Sequence, residues 1–307
     1  MTSLRFPRNL PAVLVLVVSI FPVDFAVASV IKDGLLRESK IICWGANGEG
    51  QASVPQDLKG ATQISLGSEH SCALARGQVR CWGRNVEGQT NVPRDLDEAV
   101  QISVGAWHSC ALTKSGIRCW GQMDIVTEPP TDLGEVLQIS AGGLHNLALT
   151  KKGIRCWGLW GYDQCRVPSF PPDSVTSLAA GFYHSCAVVA GRAYCWGRNG
   201  QGQSDVPNGL GPVTEISCGT SHSCARTSRG VQCWSNEEKF AQVPDGETLI
   251  KHASGGSHSC AMSDTGVRCW GENEYHQLEV PTEALGAESL EVGGAHTCAI
   301  VSVRGRL

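Results

Sequence analysis

GSEHSCALARGQVRCWGRNVEGQTNVP, residues 67–93, is the stretch from which the fold can be read. It opens on Gly-x-x-His and passes through two short apolar runs separated by Arg76-Gly77. A polar loop then leads to a Gln-x-x-Val-Pro ending at Gln89–Pro93. Short runs of alternating character bounded by Gly, Asn or Pro are strand grammar. The same words recur along the chain. His-Ser-Cys-Ala or a close variant starts at His70, His108, His145, His184, His222, His258 and His296, and Cys-Trp-Gly or a variant at Cys43, Cys81, Cys119, Cys156, Cys195, Cys233 and Cys269. Neighbouring copies are 36 to 39 residues apart. A fixed period of that size marks one supersecondary unit copied along the chain, each copy too small to bury its apolar face alone.

An Ile-Ser-type run precedes each Gly-x-x-His, as in Gln63-Ile64-Ser65, Gln101-Ile102-Ser103 and Gln138-Ile139-Ser140. With it, each unit reads as four strands, A to D, in an antiparallel meander. The expectation is an all-β, seven-bladed β-propeller of four-stranded blades. A helical solenoid of similar period is rejected, because helical periodicity is absent and β-branched residues fill the apolar slots. The reading frame makes the ends complementary. The repeats start at Lys40 with a strand C and finish at His296–Ile300 with a strand B. The two ends are therefore expected to share one blade and close the ring.

The cysteines follow the same logic. Cys72/Cys81, Cys110/Cys119, Cys186/Cys195, Cys224/Cys233 and Cys260/Cys269 are each nine residues apart. Across a B–C hairpin with a two-residue turn that spacing puts the pair directly opposite, within disulfide reach. Cys298 and Cys43 hold the same positions in the shared blade, so a Cys43–Cys298 bridge is predicted. In the third unit Leu147 replaces the strand-B cysteine, and Cys156 is assigned instead to Cys165 in strand D. Cys218 is left over and reads as a small buried apolar residue.

Seven bridges imply an oxidising compartment, and the N-terminus agrees. Arg5 and Arg8 precede an apolar run from Leu10 to Phe21, followed by Ala26-Val27-Ala28. Residues 1–28 read as a cleaved signal peptide, 29–39 as a short lead, 40–303 as the propeller and 304–307 as a tail. Secretion or a periplasmic location is expected, with no membrane span in the mature chain. Removing Arg5, Arg8 and Asp24 takes the net charge from −4 to −5. A mildly acidic chain without Lys/Arg runs offers no footprint for nucleic acid.

The residues of chemically capable types have structural readings. Seven equivalent His residues could suggest a metal ring, but imidazole ligands must converge within about 2 Å of one ion, and seven blades hold them apart. They are expected to hydrogen-bond neighbouring backbone. The strand-C Trp residues are expected to pack between blades. Arg80, Arg118, Arg155 and Arg268 stand two residues before a Trp and are expected to stack on it. No Gly-x-Ser-x-Gly, Walker-type loop or His-Glu-x-x-His occurs, and Asp124, Asp163 and Glu274 are scattered loop acids. The chain is read as a non-enzyme without cofactor or metal.

On Gly-x-x-His-Ser, Cys-Trp-Gly-x-Asn-x-x-Gly-Gln and the sevenfold count, residues 40–303 resemble the regulator-of-chromosome-condensation repeat family. Residues 82–89 and 196–203 match its motif closely. The resemblance implies a seven-bladed propeller and is nearly silent on activity. Two units depart from the motif, at Gln122-Met123-Asp124 and at Ser235, and altered loops are expected there. The recurring Gln-x-x-Val-Pro is most similar to a secreted bacterial branch of the family that inhibits β-lactamase. That likeness implies aromatic contacts just before the repeated His, which map to Trp107, Leu144, Phe182 and Tyr183. The A–B and C–D loops of a meander leave the ring at one end, so Trp160 and Tyr162 join them. A patch of this kind reads as a protein-binding hot spot. The expected role is a monomeric, secreted or periplasmic scaffold binding an unidentified protein through this face. The alternatives are an inhibitor of a secreted hydrolase such as a β-lactamase, a carbohydrate-binding propeller, and a protein like the family's guanine-nucleotide exchange factors.

Overall fold

Strand B of most units is built from His, Ser, Cys and Ala because it runs through the middle of a blade, where its side chains are fully buried against the neighbouring blades. The computed structural model describes residues 37–122, 124–159, 161–244, 249 and 251–304. The signal peptide, most of the lead, Trp160 and residues 305–307 lie outside them. Twenty-one strands follow in order: β1 (Arg37–Gly45); β2 (Ala61–Leu66), β3 (His70–Ala75) and β4 (Gln78–Gly83); β5 (Ala99–Val104), β6 (His108–Thr113) and β7 (Gly116–Gly121). Next come β8 (Val136–Ala141), β9 (His145–Thr150) and β10 (Gly153–Gly158), then β11 (Val175–Ala180), β12 (His184–Val189) and β13 (Arg192–Gly197). The remainder are β14 (Val213–Cys218), β15 (Ser223–Thr227) and β16 (Gly230–Trp234); β17 (Lys251–Ser254), β18 (His258–Ser263) and β19 (Gly266–Gly271); and β20 (Ala287–Val292) with β21 (His296–Arg304).

They form seven antiparallel sheets, blades 1 to 7, with the A, B and C strands in sequence. Blade 7 is β20, β21 and β1, in which β1 pairs with β21 from Arg37↔Arg304 to Gly45↔His296. Two-residue turns join B to C. At Arg76-Gly77 both residues are left-handed, φ 52° and 76°, the backbone that a twisted hairpin requires. The opposed cysteines are bonded: 72–81, 110–119, 186–195, 224–233 and 260–269 within hairpins, and Cys43–Cys298 across blade 7. Blade 3 carries Cys156–Cys165 in their place.

The blades have three strands, not four. The segment expected as strand D is a succession of turns ending at Pro55, Pro93, Pro168, Pro207 or Pro281. Proline supplies no N–H to a ladder, and the carbonyl at the buried Gln of this segment is spent on side chains. Gln51 O accepts from Ser71 Oγ and from Trp82 Nε1 at 2.8 and 2.9 Å. The Gln side chain folds back and takes a loop amide, as Gln89 Oε1 does from Glu87 N. The D segment is thus a clasp on the next blade, not a rung of its own.

Three circuits of hydrogen bonds run around the axis and return to their origin. In the first, A–B loop amides donate to the next blade, from Ser68 N to Ala106 O round to Gly294 N to Gly67 O. In the second, each strand-C Trp Nε1 donates to the preceding D segment, from Trp82 to Gln51 O round to Trp44 to Gln277 O. The third joins the histidines. His70 meets Ser109, His108 Asn146, His145 Ser185, His184 Ser223, His222 Ser259, His258 Thr297 and His296 Ser71, at 2.6–3.0 Å. Their partners are side chains of the next blade, not the neighbouring backbone expected from sequence. Ser71, Ser109, Ser185 and Ser223 each donate to a Gln carbonyl, so they accept from Nε2–H. Nδ1 of all seven rings is buried without a partner.

The glycine before each of these loops is set by the ring itself. A Cβ on Gly105 would stand 2.2 Å from His108 Cε1 and 2.4 Å from Gly142 O. Gly105→Ala is expected to cost about 2 kcal/mol, in the range for overpacking a core. A thermal melt checks this, and an unchanged Tm would mean that the loop yields.

For Arg80, Arg118 and Arg155 the expected stacking on Trp is not what the structure holds. Arg80, Arg118 and Arg155 reach Asp57, Asp95 and Asp132 at 3.0–3.2 Å on the exposed rim. A carboxylate 23 residues upstream attracts a guanidinium more strongly than an indole already packed against the adjacent blade. The Trp rings do fill the seams between blades; Trp82 packs with Ile41, Ile64 and Ile300.

Candidate partner-binding face

Where a C–D loop begins, its first amide donates to the A–B loop of the same blade. Arg84 N donates to Glu69 O, Gln122 N to Trp107 O, Leu159 N to Leu144 O, and Arg198 N to Tyr183 O. Both loop sets therefore lie at one end of the ring. In blade 5, Ser235 replaces the usual Gly and its hydroxyl donates to Ser221 O. The two motif departures become short helices, α1 (Asp124–Thr127) and α2 (Glu238–Ala241). They keep the clasp: Val126 O accepts from Trp157 Nε1, and Phe240 O from Trp270 Nε1.

On this end the aromatic residues of blades 2, 3 and 4 meet. Trp107 and Phe182 are perpendicular with centroids 5.6 Å apart, and Phe182 meets Tyr183 at 4.6 Å. Tyr183 and Tyr162 are 4.9 Å apart. The four rings form one row in the edge-to-face and tilted geometries that ring quadrupoles favour. Trp107, Phe182 and Tyr183 are half-buried, and Tyr162 is 50% exposed. Leu144 is half-buried in the A–B loop between them, with no part in the row of rings. The Arg198 guanidinium lies over both Tyr162 and Tyr183, at 5.6 and 5.5 Å. Sequence reading missed Arg198. The signal was the hairpin register, which sets Gly197 opposite His184 and so brings Arg198 beside Tyr183.

Among the described residues the interior offers no comparable site. The axial channel, about 300 Å³, is lined by the Gly loops and by polar strand-A residues such as Gln63, Ser103 and Glu291. Several of these side chains are already engaged between blades: Gln63 Nε2 donates to Ile102 O and its Oε1 accepts from Ile102 N, both at 2.9 Å. His184, Cys186 and Cys218 bring potential metal-ligand atoms within 4.8 Å of one another. Cys186, however, is bonded to Cys195 and His184 is bonded to Ser223. The remaining thiol, Cys218, is buried, and burial pushes it up to about 12. It is protonated and inert at neutral pH.

Comparison with known proteins agrees with this geometry. The family model described as "Regulator of chromosome condensation (RCC1) repeat" matches residues 61–89, 99–124, 175–203 and 249–277. At the level of sequence alone, comparison with curated proteins gives no match. Among solved structures, the chain is similar to Prp20p of Saccharomyces cerevisiae, described with its binding to Gsp1p and histones. The TM-score is 0.74 at 16% identity, covering 88% of this chain and 93% of that one. Human WBSCR16 gives 0.71 at 16% identity, covering 86% and 98%. The CRINKLY ectodomain of the Arabidopsis thaliana receptor kinase ACR4 gives 0.62 at 26% identity, covering 75% and 86%.

Proposed function

We propose that this chain, a β-propeller carrying regulator of chromosome condensation repeats, is a secreted or periplasmic scaffold that binds another protein through the face bearing the A–B and C–D loops. The observation that carries the reading is the row Trp107–Phe182–Tyr183–Tyr162 with Arg198 over its end. Large rings held edge to face and backed by rigid strands lose little entropy on contact with a partner, which makes them efficient anchors. The polar axial channel and the inert Cys218 argue for surface recognition over catalysis. Seven disulfides support an oxidising location, as does the likeness to a receptor ectodomain.

The test is a Trp107→Ala, Phe182→Ala, Tyr183→Ala variant in affinity capture from the fluid around the native cells, read by quantitative mass spectrometry. Loss of more than about 2 kcal/mol of binding, roughly thirtyfold, is expected, with an unchanged disulfide pattern and melting curve. Capture equal to that of the unmodified protein would remove this face from the reading. Inhibition of a secreted hydrolase is a special case of the same proposal, and stoichiometric loss of turnover would identify it.

A further inference from the structure

The charge on the loop-bearing face is lopsided. Among described side chains of the A–B and C–D loops there are eight carboxylates and three cations. Two of the cations are already neutralised. Arg84 lies between Glu69 and Glu87 at 3.2 and 3.0 Å, and Lys239 between Glu237 and Glu272 at 3.4 and 2.7 Å. The third, Arg198, stacks on the tyrosines. Glu49, Asp163, Glu238 and Glu274 are exposed and enter none of these ion pairs. At the opposite end, the B–C turns carry Arg76, Lys114, Lys151, Lys152 and Arg229 against Asp264. The D–A segments reach the same end and add acids such as Asp57, Asp95, Asp132 and Glu135, so charge there is mixed, and the face with the aromatic row is the more uniformly acidic of the two.

We infer that the partner presents a basic protein surface, with Arg or Lys side chains lying on the aromatic row and others facing the carboxylates on the remaining blades of the same face. This rests on the protein-binding reading above. Two features of the face favour such an occupant. Tyrosine and tryptophan rings attract cations through their faces, and Arg198 already shows this mode on Tyr162 and Tyr183. The carboxylates on the rest of this face supply the field that steers a basic partner in and disfavours an acidic one.

The test uses a labelled peptide of alternating Arg and Ala, its Glu–Ala counterpart, and fluorescence anisotropy. The basic peptide is expected to bind and the acidic one not. Affinity should fall about tenfold between low salt and roughly physiological salt, as screening shortens the reach of the field. The variant Glu49→Gln, Asp163→Asn, Glu238→Gln, Glu274→Gln should weaken binding by about tenfold. Asp57→Asn, Asp95→Asn, Asp132→Asn at the other rim should leave it unchanged. Equal binding of the two peptides, or equal loss in both charge variants, would overturn the inference. The native partner separates the two proposals. If its capture is lost in the aromatic variant but is indifferent to salt and to the first charge variant, the basic-partner inference falls and the protein-binding face stands.

Discussion

Acidification is expected to unfold this propeller cooperatively near pH 5. Burial drives the imidazoles of His70, His145, His184 and His258 down to about 3, with neighbouring histidines adding to the effect. It drives His108, His222 and His296 down to about 4. Each ring is neutral when folded and takes up a proton near pH 6.5 when unfolded, so stability is complete above that value and falls as pH drops towards 3–4. Each His contributes about 1.4 kcal/mol per pH unit in that window, and seven contribute on the order of 10. Against a total stability of about 5–15 kcal/mol, one to two units below pH 6.5 suffice. Glu291 has the opposite sign. Burial raises its carboxyl to about 7, so protonation on acidification stabilises the fold, but one carboxyl stands against seven rings. The geometry gives the same direction, since a protonated ring would place an N–H at the buried, partnerless Nδ1. Circular dichroism across pH 3–7, with the bridges intact, measures the transition. A native spectrum at pH 4, or resonances of these seven histidines titrating near 6.5 in the folded state, would contradict the account.

Breaking the Cys43–Cys298 bridge is expected to cost about twice as much as breaking any hairpin bridge. The bond spans 255 residues, against 9 for each of the others. In the chain-entropy model those loops correspond to about 5.5 and about 2.7 kcal/mol. A Cys43→Ser, Cys298→Ser variant should therefore melt some 10–20 °C lower, and Cys72→Ser, Cys81→Ser about half as far. The difference has a structural site. The hairpin partners remain joined by a two-residue turn, whereas β1 is tied to β21 only by its ladder and this bridge. Hydrogen exchange in the variant should accordingly begin in β1. Equal melting losses in the two variants, with β1 still protected, would show that the inter-blade circuits close the ring without the bond.

Period and spacing made the repeat legible, because each unit must reproduce the contacts of its neighbours to stack on them. The same regularity made the hairpin cysteines legible: a two-residue turn and a spacing of nine leave one register. Strand D misled because Val-Pro looks like a strand end in isolation. In the ring the Gln51 carbonyl of this segment accepts from Ser71 and Trp82 of the next blade. The arginines misled for a related reason. Two-residue spacing puts Arg80 and Trp82 on one face, yet the guanidinium pairs with Asp57, far upstream in sequence.

What the sequence alone determined is whatever repeats locally: the number of units, their strand grammar and the pairing of opposed cysteines. What only the tertiary structure decided is whatever passes between units. The histidine circuit, the row from Trp107 to Tyr162 and the seat of Arg198 each join residues of adjacent or more distant blades. Local periodicity specifies a blade, because neighbouring strands read one another through a fixed register. It does not specify which side chains meet across a seam, because that depends on the angle at which seven blades pack around a common axis.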